Sequence, residues 1–175
     1  MKEIVLLLSK TSGEWAVKQD NLDEYGLAGV WVMQGRASNL GKWKRLEVGE
    51  TSNIRDELRR DCNEILSPSV GKDTGEIKFP RFRTWSECIT GNKGETRFQA
   101  KYRQISENYN EIRVFVVLKD ESRLERCKKE VLEAMTWDKD EDENIGAVYW
   151  YPAPTKNGIN QWNEVAKIEK RFSNN

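Results

Sequence analysis

The chain contains no histidine, which removes serine–histidine triads, histidine zinc sites and imidazole acid–base catalysis from the chemistry open to it. Carboxylates, tyrosines, lysines and arginines remain. One concentration of them runs from Lys78 to Arg103. There Lys78, Arg81, Arg83, Lys93, Arg97, Lys101 and Arg103 stand against only Glu87 and Glu95, and Phe79, Phe82, Trp85, Phe98 and Tyr102 interleave with the cations. Cations neutralise phosphates and aromatic faces stack on unpaired bases, so this composition suits a nucleic-acid contact. A strand pair with inward aromatics and outward cations is the competing structural reading. Just ahead of it, Glu76-Ile77-Lys78 has the carboxylate-x-lysine spacing used by one class of nuclease, with Asp61 as an upstream acid. A helix at Asp61 fits that class poorly.

The second concentration lies between Leu27 and Leu58. It reads Leu27-Ala28-Gly29-Val30-Trp31-Val32-Met33, then a polar connection, then Glu47-Val48-Gly49-Glu50-Thr51-Ser52-Asn53-Ile54-Arg55-Asp56-Glu57-Leu58. A strand opening on Gly-Val-aromatic, a second strand ending in Val-Gly and a helix capped after Thr-x-Asn together resemble the opening of a GIY-YIG nuclease domain. Gly29, Val30 and Met33 match the first motif; Val48, Gly49, Thr51, Asn53, Ile54 and Leu58 match the second motif and helix start. The resemblance implies that fold for about residues 27–66 and 111–135. It also implies chemistry from a tyrosine on each strand, an arginine on the helix and a glutamate on a later helix that holds one divalent metal.

The matching positions carry other side chains. Trp31 takes the first tyrosine position without a hydroxyl to act as a base or orient a water, Glu47 takes the second, and Glu57 takes the arginine position. Arg55 and Arg59 lie two residues to either side, about 200° around a helical wheel, and so on another face. Glu125, Glu130 and Glu133 are candidates for the metal glutamate, and Glu130 is preferred because it sits at the edge of the apolar stripe through Val131 and Met135. Two outcomes are open. Glu47, Glu57 and Glu130 form an altered site for Mg²⁺ or Mn²⁺, or the scaffold persists with cleavage lost and these carboxylates solvated. In the second case the function is nucleic-acid binding, to DNA or RNA, through Arg55, Arg59, Lys78, Arg81, Arg83, Trp85, Arg97, Lys101 and Arg103. A reading of a different class is a protein-interaction module that uses exposed tryptophans as anchors.

Length and composition set the frame for these sites. The 175 residues suit a single domain, with residues 67–110 as an insertion of weak pattern. Charged residues are 33% of the chain yet balance to a net charge of +0, so any affinity for a polyanion rests on local segregation of charge. Cys62, Cys88 and Cys127 are odd in number and far apart, which argues for a reducing cytoplasm over a disulfide framework. The apolar run Ile4–Leu8 is too short to span a bilayer, and no membrane association is expected. The run Asp138–Glu143 is acidic apart from Lys139 and reads as a solvated loop.

Strand signals fall at Glu3–Leu8, Gly29–Met33, Trp43–Val48, Ile112–Leu118 and Ile145–Tyr151. Helical spacing links Ile54, Leu58, Cys62 and Ile65 before Pro68, then Leu124, Cys127, Val131, Leu132 and Met135, and finally Trp162, Val165, Ile168 and Phe172. This order predicts an α+β domain: a small, mainly antiparallel sheet flanked by helices.

Overall fold

In the computed structural model, residues 2–68, 76–79, 89–135, 147–149 and 159–173 are described. Strands β1 (Ile4–Thr11), β2 (Glu14–Asp20), β3 (Gly29–Arg36), β4 (Lys44–Thr51) and β7 (Glu111–Lys119) form one sheet in the order β2-β1-β7-β3-β4, and every neighbouring pair is antiparallel. A hairpin of β5 (Glu76–Phe79) and β6 (Ile89–Asn92) stands apart from it. The helices are α1 (Ile54–Leu66), α2 (Arg97–Asn108), α3 (Arg123–Ala134) and α4 (Ile159–Ser173). The architecture is the small α+β fold that the periodicities predict, and no described helix is long and apolar enough to cross a membrane.

Strand β3 sits between β7 and β4 and is buried from Gly29 to Gly35, so its alternating side chains feed two cores. Trp31 and Met33 join Leu46, Ile54, Leu58, Tyr102 and Ile105 on the face covered by α1 and α2. Val30 and Val32 join Val48, Val131 and Ala134 on the face covered by α3, with Val165 and Ile168 of α4 packed against them. The β3–β4 register shifts once: Met33 pairs with Glu47 but Gln34 with Arg45, leaving Leu46 as the extra residue of a bulge. Such a bulge re-aims neighbouring side chains, and here Leu46 turns into the same core as Trp31 and Met33.

Three elements differ from expectation. Strand β2 was not expected, because its residues are mostly exposed and show no clean alternation. Within the weakly patterned 67–110 segment, α2 is a regular helix. Thr96 accepts from the Gln99 N–H while the Gln99 side chain accepts from the Thr96 N–H, the reciprocal arrangement that satisfies two orphan donors at a helix start. The strand expected at Ile145–Tyr151 is corrected where it is described: Ala147 is irregular, and Val148 and Tyr149 form a turn. The N–H groups of Val148 and Tyr149 reach consecutive carbonyls, Arg45 O at 3.2 Å and Leu46 O at 2.8 Å. An extended ladder, whose groups face alternate sides, does not make that pattern. The run is apolar because Val148 and Tyr149 are buried in the core while covering the β4 edge.

Candidate functional site

Two glycines of the Leu27–Leu58 stretch are required by close approach. A Cβ at Gly29 would meet the Leu118 carbonyl oxygen and lie 2.7 Å from Ile54 Cδ1, and one at Gly49 would lie 2.5 Å from Trp31 Cε2 and 2.7 Å from Nε1. Gly49 is the cross-strand partner of Trp31, so the indole lies on bare backbone where any side chain would displace it. Its N–H then donates to Glu57 Oε1 at 2.9 Å. Helix α1 is aimed for this contact by its cap: the Asn53 side chain accepts from the Asp56 N–H at 3.0 Å, and Thr51 Oγ1 accepts from the Asn53 N–H at 3.1 Å.

Trp31, Glu47, Glu57 and Glu130 line a single pocket of about 320 Å³. The positions singled out on β3, β4, α1 and α3 are thus brought together. Arg60 of α1 joins them without having been singled out, and Asp61 of α1, Phe98 and Tyr102 of α2, and Tyr149 from the turn over β4, candidates on other grounds, line the same pocket. Their signals were present: Asp61 is four residues from Glu57 and so on its face, and Phe98, Tyr102 and Ile105 follow helical spacing behind Thr96.

The carboxylates of this pocket are largely engaged. Glu47 accepts the Tyr102 hydroxyl on Oε2 at 2.6 Å and pairs with the Lys101 ammonium through Oε1. Glu50 pairs with Arg126 at 3.1 Å and Arg123 at 3.7 Å. Burial pushes the Glu57 carboxyl above its ordinary range, against the hydrogen bonds from Thr51 and Trp31 and the charge of Arg60, with Glu47 adding to the rise. Asp61, only 2% exposed, is pushed up to about 7, first by burial and then by the neighbouring Glu47 charge. Tyr102 is also hydrogen-bonded to Asp61. That contact favours the ionised carboxyl and, with the Lys101 charge, opposes the rise, while the hydroxyl donates to Glu47 Oε2. Burial, with the charges of Glu47 and Asp61, holds the Tyr102 hydroxyl well above its usual pKa, so it stays protonated.

Divalent-metal chemistry was tested against this donor set. Among the described residues no group of three or more Asp, Glu or Cys side chains is arranged to hold an ion. Both oxygens of Glu47 already serve Lys101 and Tyr102, and Glu57 serves Trp31. In this arrangement Glu47, Glu57 and Glu130 do not fit Mg²⁺ or Mn²⁺.

No family model matches the chain, nor does any curated protein or solved structure. The pocket therefore speaks through its own chemistry: aromatic walls, partly compensated acidic charge and an excess of hydrogen-bond acceptors.

The residues expected to contact nucleic acid are dispersed. Arg55 pairs with Asp56 at 3.0 Å, Arg59 with Asp23 at 2.6 Å, and Arg103 with Glu95 at 3.0 Å and Glu107 at 3.1 Å, while Lys101 faces the pocket. Arg97 is exposed at the start of α2, as is Lys93 just before it. Lys78 lies on β5, and Arg81, Arg83 and Trp85 lie outside the described residues, as does the acidic run Asp138–Glu143. The described tryptophan side chains are not free anchors. Trp31 is buried, Trp15 donates to Ser106 Oγ at 3.0 Å, and the Trp43 ring has the guanidinium groups of Arg36 at 4.5 Å and Arg113 at 4.0 Å.

Proposed function

We propose that this chain is a nucleic-acid-binding protein with a degenerate GIY-YIG nuclease-like core that does not cut by that family's route. One observation carries the reading: Trp31, Glu47, Glu57 and Glu130, the positions the resemblance singles out, line a single pocket. Loss of cleavage is supported by what those positions hold. A hydrogen-bonded indole replaces one phenol, and the two strand and helix carboxylates are tied to Lys101, Tyr102 and Trp31. Exposed Lys93 and Arg97, beside the pocket residue Phe98, supply cations for a phosphate backbone.

The test is fluorescence anisotropy with labelled single-stranded DNA and RNA across a salt series. Binding should weaken about twentyfold between about 50 and 200 mM salt if roughly three phosphates are neutralised. No binding at any salt concentration overturns the proposal and favours the protein-interaction reading. In parallel, plasmid should stay intact with Mg²⁺ or Mn²⁺. Metal-dependent nicking abolished by Glu47→Gln or Glu57→Gln would reinstate an altered metallonuclease.

A further inference from the structure

The geometry points to the Trp31–Glu57 pocket as a receptor for one unpaired nucleobase, guanine, held by its Watson–Crick edge with its phosphates left outside. This deepens the nucleic-acid reading and rests on it.

Size comes first. A pocket of about 320 Å³ is at the small end of ligand sites and takes a base or nucleoside. Phe98 presents a partly exposed ring on its wall, backed by the buried Trp31, Tyr102 and Tyr149, and a ring so placed can hold an extruded base by stacking. Charge decides what part of a nucleotide enters. Glu47 is compensated by Lys101 and Glu50 by Arg126 and Arg123, while Asp61 is desolvated beside Glu47. The remaining charges do not favour a phosphate, because the acids on the wall still outnumber Arg60 and Lys101. A cationic ligand is also disfavoured: Lys101 already lies 4.6 Å from the Tyr102 ring centroid and Arg60 5.4 Å from that of Phe98. A neutral planar group rich in donors is what fits.

Among the standard bases only guanine carries two adjacent donors, N1–H and the 2-amino group, on its pairing edge, with the O6 acceptor beside them. Glu57 supplies a carboxylate held in place by the Trp31 indole on Oε1, and such a group has about four acceptor sites. Arg60, one turn further along α1 and 64% exposed in its side chain, supplies a donor for O6. Exposed Lys93 and Arg97 then meet the backbone of a strand whose base has turned inward.

Calorimetric titration of the full chain with guanosine, inosine and adenosine tests this. Inosine lacks only the 2-amino group. Guanosine should bind at least tenfold tighter than inosine, with adenosine undetected and no dependence on salt. Glu57→Gln, which keeps an oxygen for the Trp31 N–H, should abolish the guanosine–inosine difference. Arg60→Ala, at an exposed side chain, should weaken guanosine severalfold while its urea midpoint stays that of the native chain. Equal binding of guanosine and inosine, absence of guanosine binding, or selectivity that survives Glu57→Gln overturns the inference. An oligo(dT) arm separates the two readings. Salt-sensitive binding of oligo(dT) without guanosine selectivity leaves nucleic-acid binding standing and removes the guanine pocket; no oligonucleotide or nucleoside binding removes both.

Discussion

The indole N–H of Trp31 donates to Oε1 of Glu57 across 2.9 Å, joining the strand at the centre of the cleft to the helix that closes it. A buried indole needs an acceptor and a half-buried carboxylate needs donors, so each residue accounts for the other. Gly49 makes the contact geometrically available by leaving its backbone bare beneath the ring.

Gly49→Ala should therefore destabilise the chain by about 1–3 kcal/mol, the usual range for overpacking a filled core, as read from urea unfolding. The same substitution in a Trp31→Leu background should cost much less, because the two residues touch and their effects should not add. Equal costs in the two backgrounds would mean that the indole is not what Gly49 accommodates.

Asp61 supplies a pH signature. Its carboxyl is pushed from 3.8 to about 7, chiefly by burial, so between those values the folded chain holds a proton that the unfolded chain has released. The stability this proton confers is complete below about pH 4 and is lost as the pH rises through 7. Glu47, Tyr102, Lys101, Glu57 and Arg60 surround the group. Asp61→Asn should reduce by a few kcal/mol the decline in unfolding free energy between pH 4 and 7. An unchanged decline would show that Asp61 ionises normally.

On the other face of the sheet, Arg45 donates to Glu133 Oε2 at 2.8 Å, and both residues are buried. Burial alone would raise the Glu133 carboxyl, but hydrogen bonds from Lys129 and Arg45 outweigh it and hold the group below its ordinary range. Glu133→Ala should cost about 3–5 kcal/mol by stranding a buried guanidinium, whereas Arg45→Met with Glu133→Leu should be near neutral. Thermal or urea unfolding of the single and double variants checks this. A single variant as stable as the native chain would contradict the role assigned to the pair.

Much of this fold could be read from spacing. Strands β1, β3, β4 and β7 and helices α1, α3 and α4 bury one face or both, and burial is what writes periodicity into sequence. Strand β2 escaped because its surface is mostly exposed and imposes little pattern. Helix α2 is harder to read because cations interleave with its Phe98, Tyr102 and Ile105 stripe, although the Thr96–Gln99 cap marks its start. At the site, residues 31, 47 and 57 could be placed together through motif spacing. Asp61, Tyr102 and Tyr149 come from three elements whose meeting depends on tertiary packing. The same packing decides that Lys101 neutralises Glu47 instead of facing a phosphate.

The most direct test follows the indole N–H resonances of the seven tryptophans in a nitrogen–proton correlation spectrum, with Trp31 assigned through Trp31→Phe, while a guanine-containing single-stranded oligonucleotide is added. The Trp31 signal should shift in proportion to occupancy, while that of Trp15, held by Ser106, stays in place. A Trp31 resonance that does not move while the oligonucleotide saturates the protein would place nucleic acid elsewhere and contradict the account.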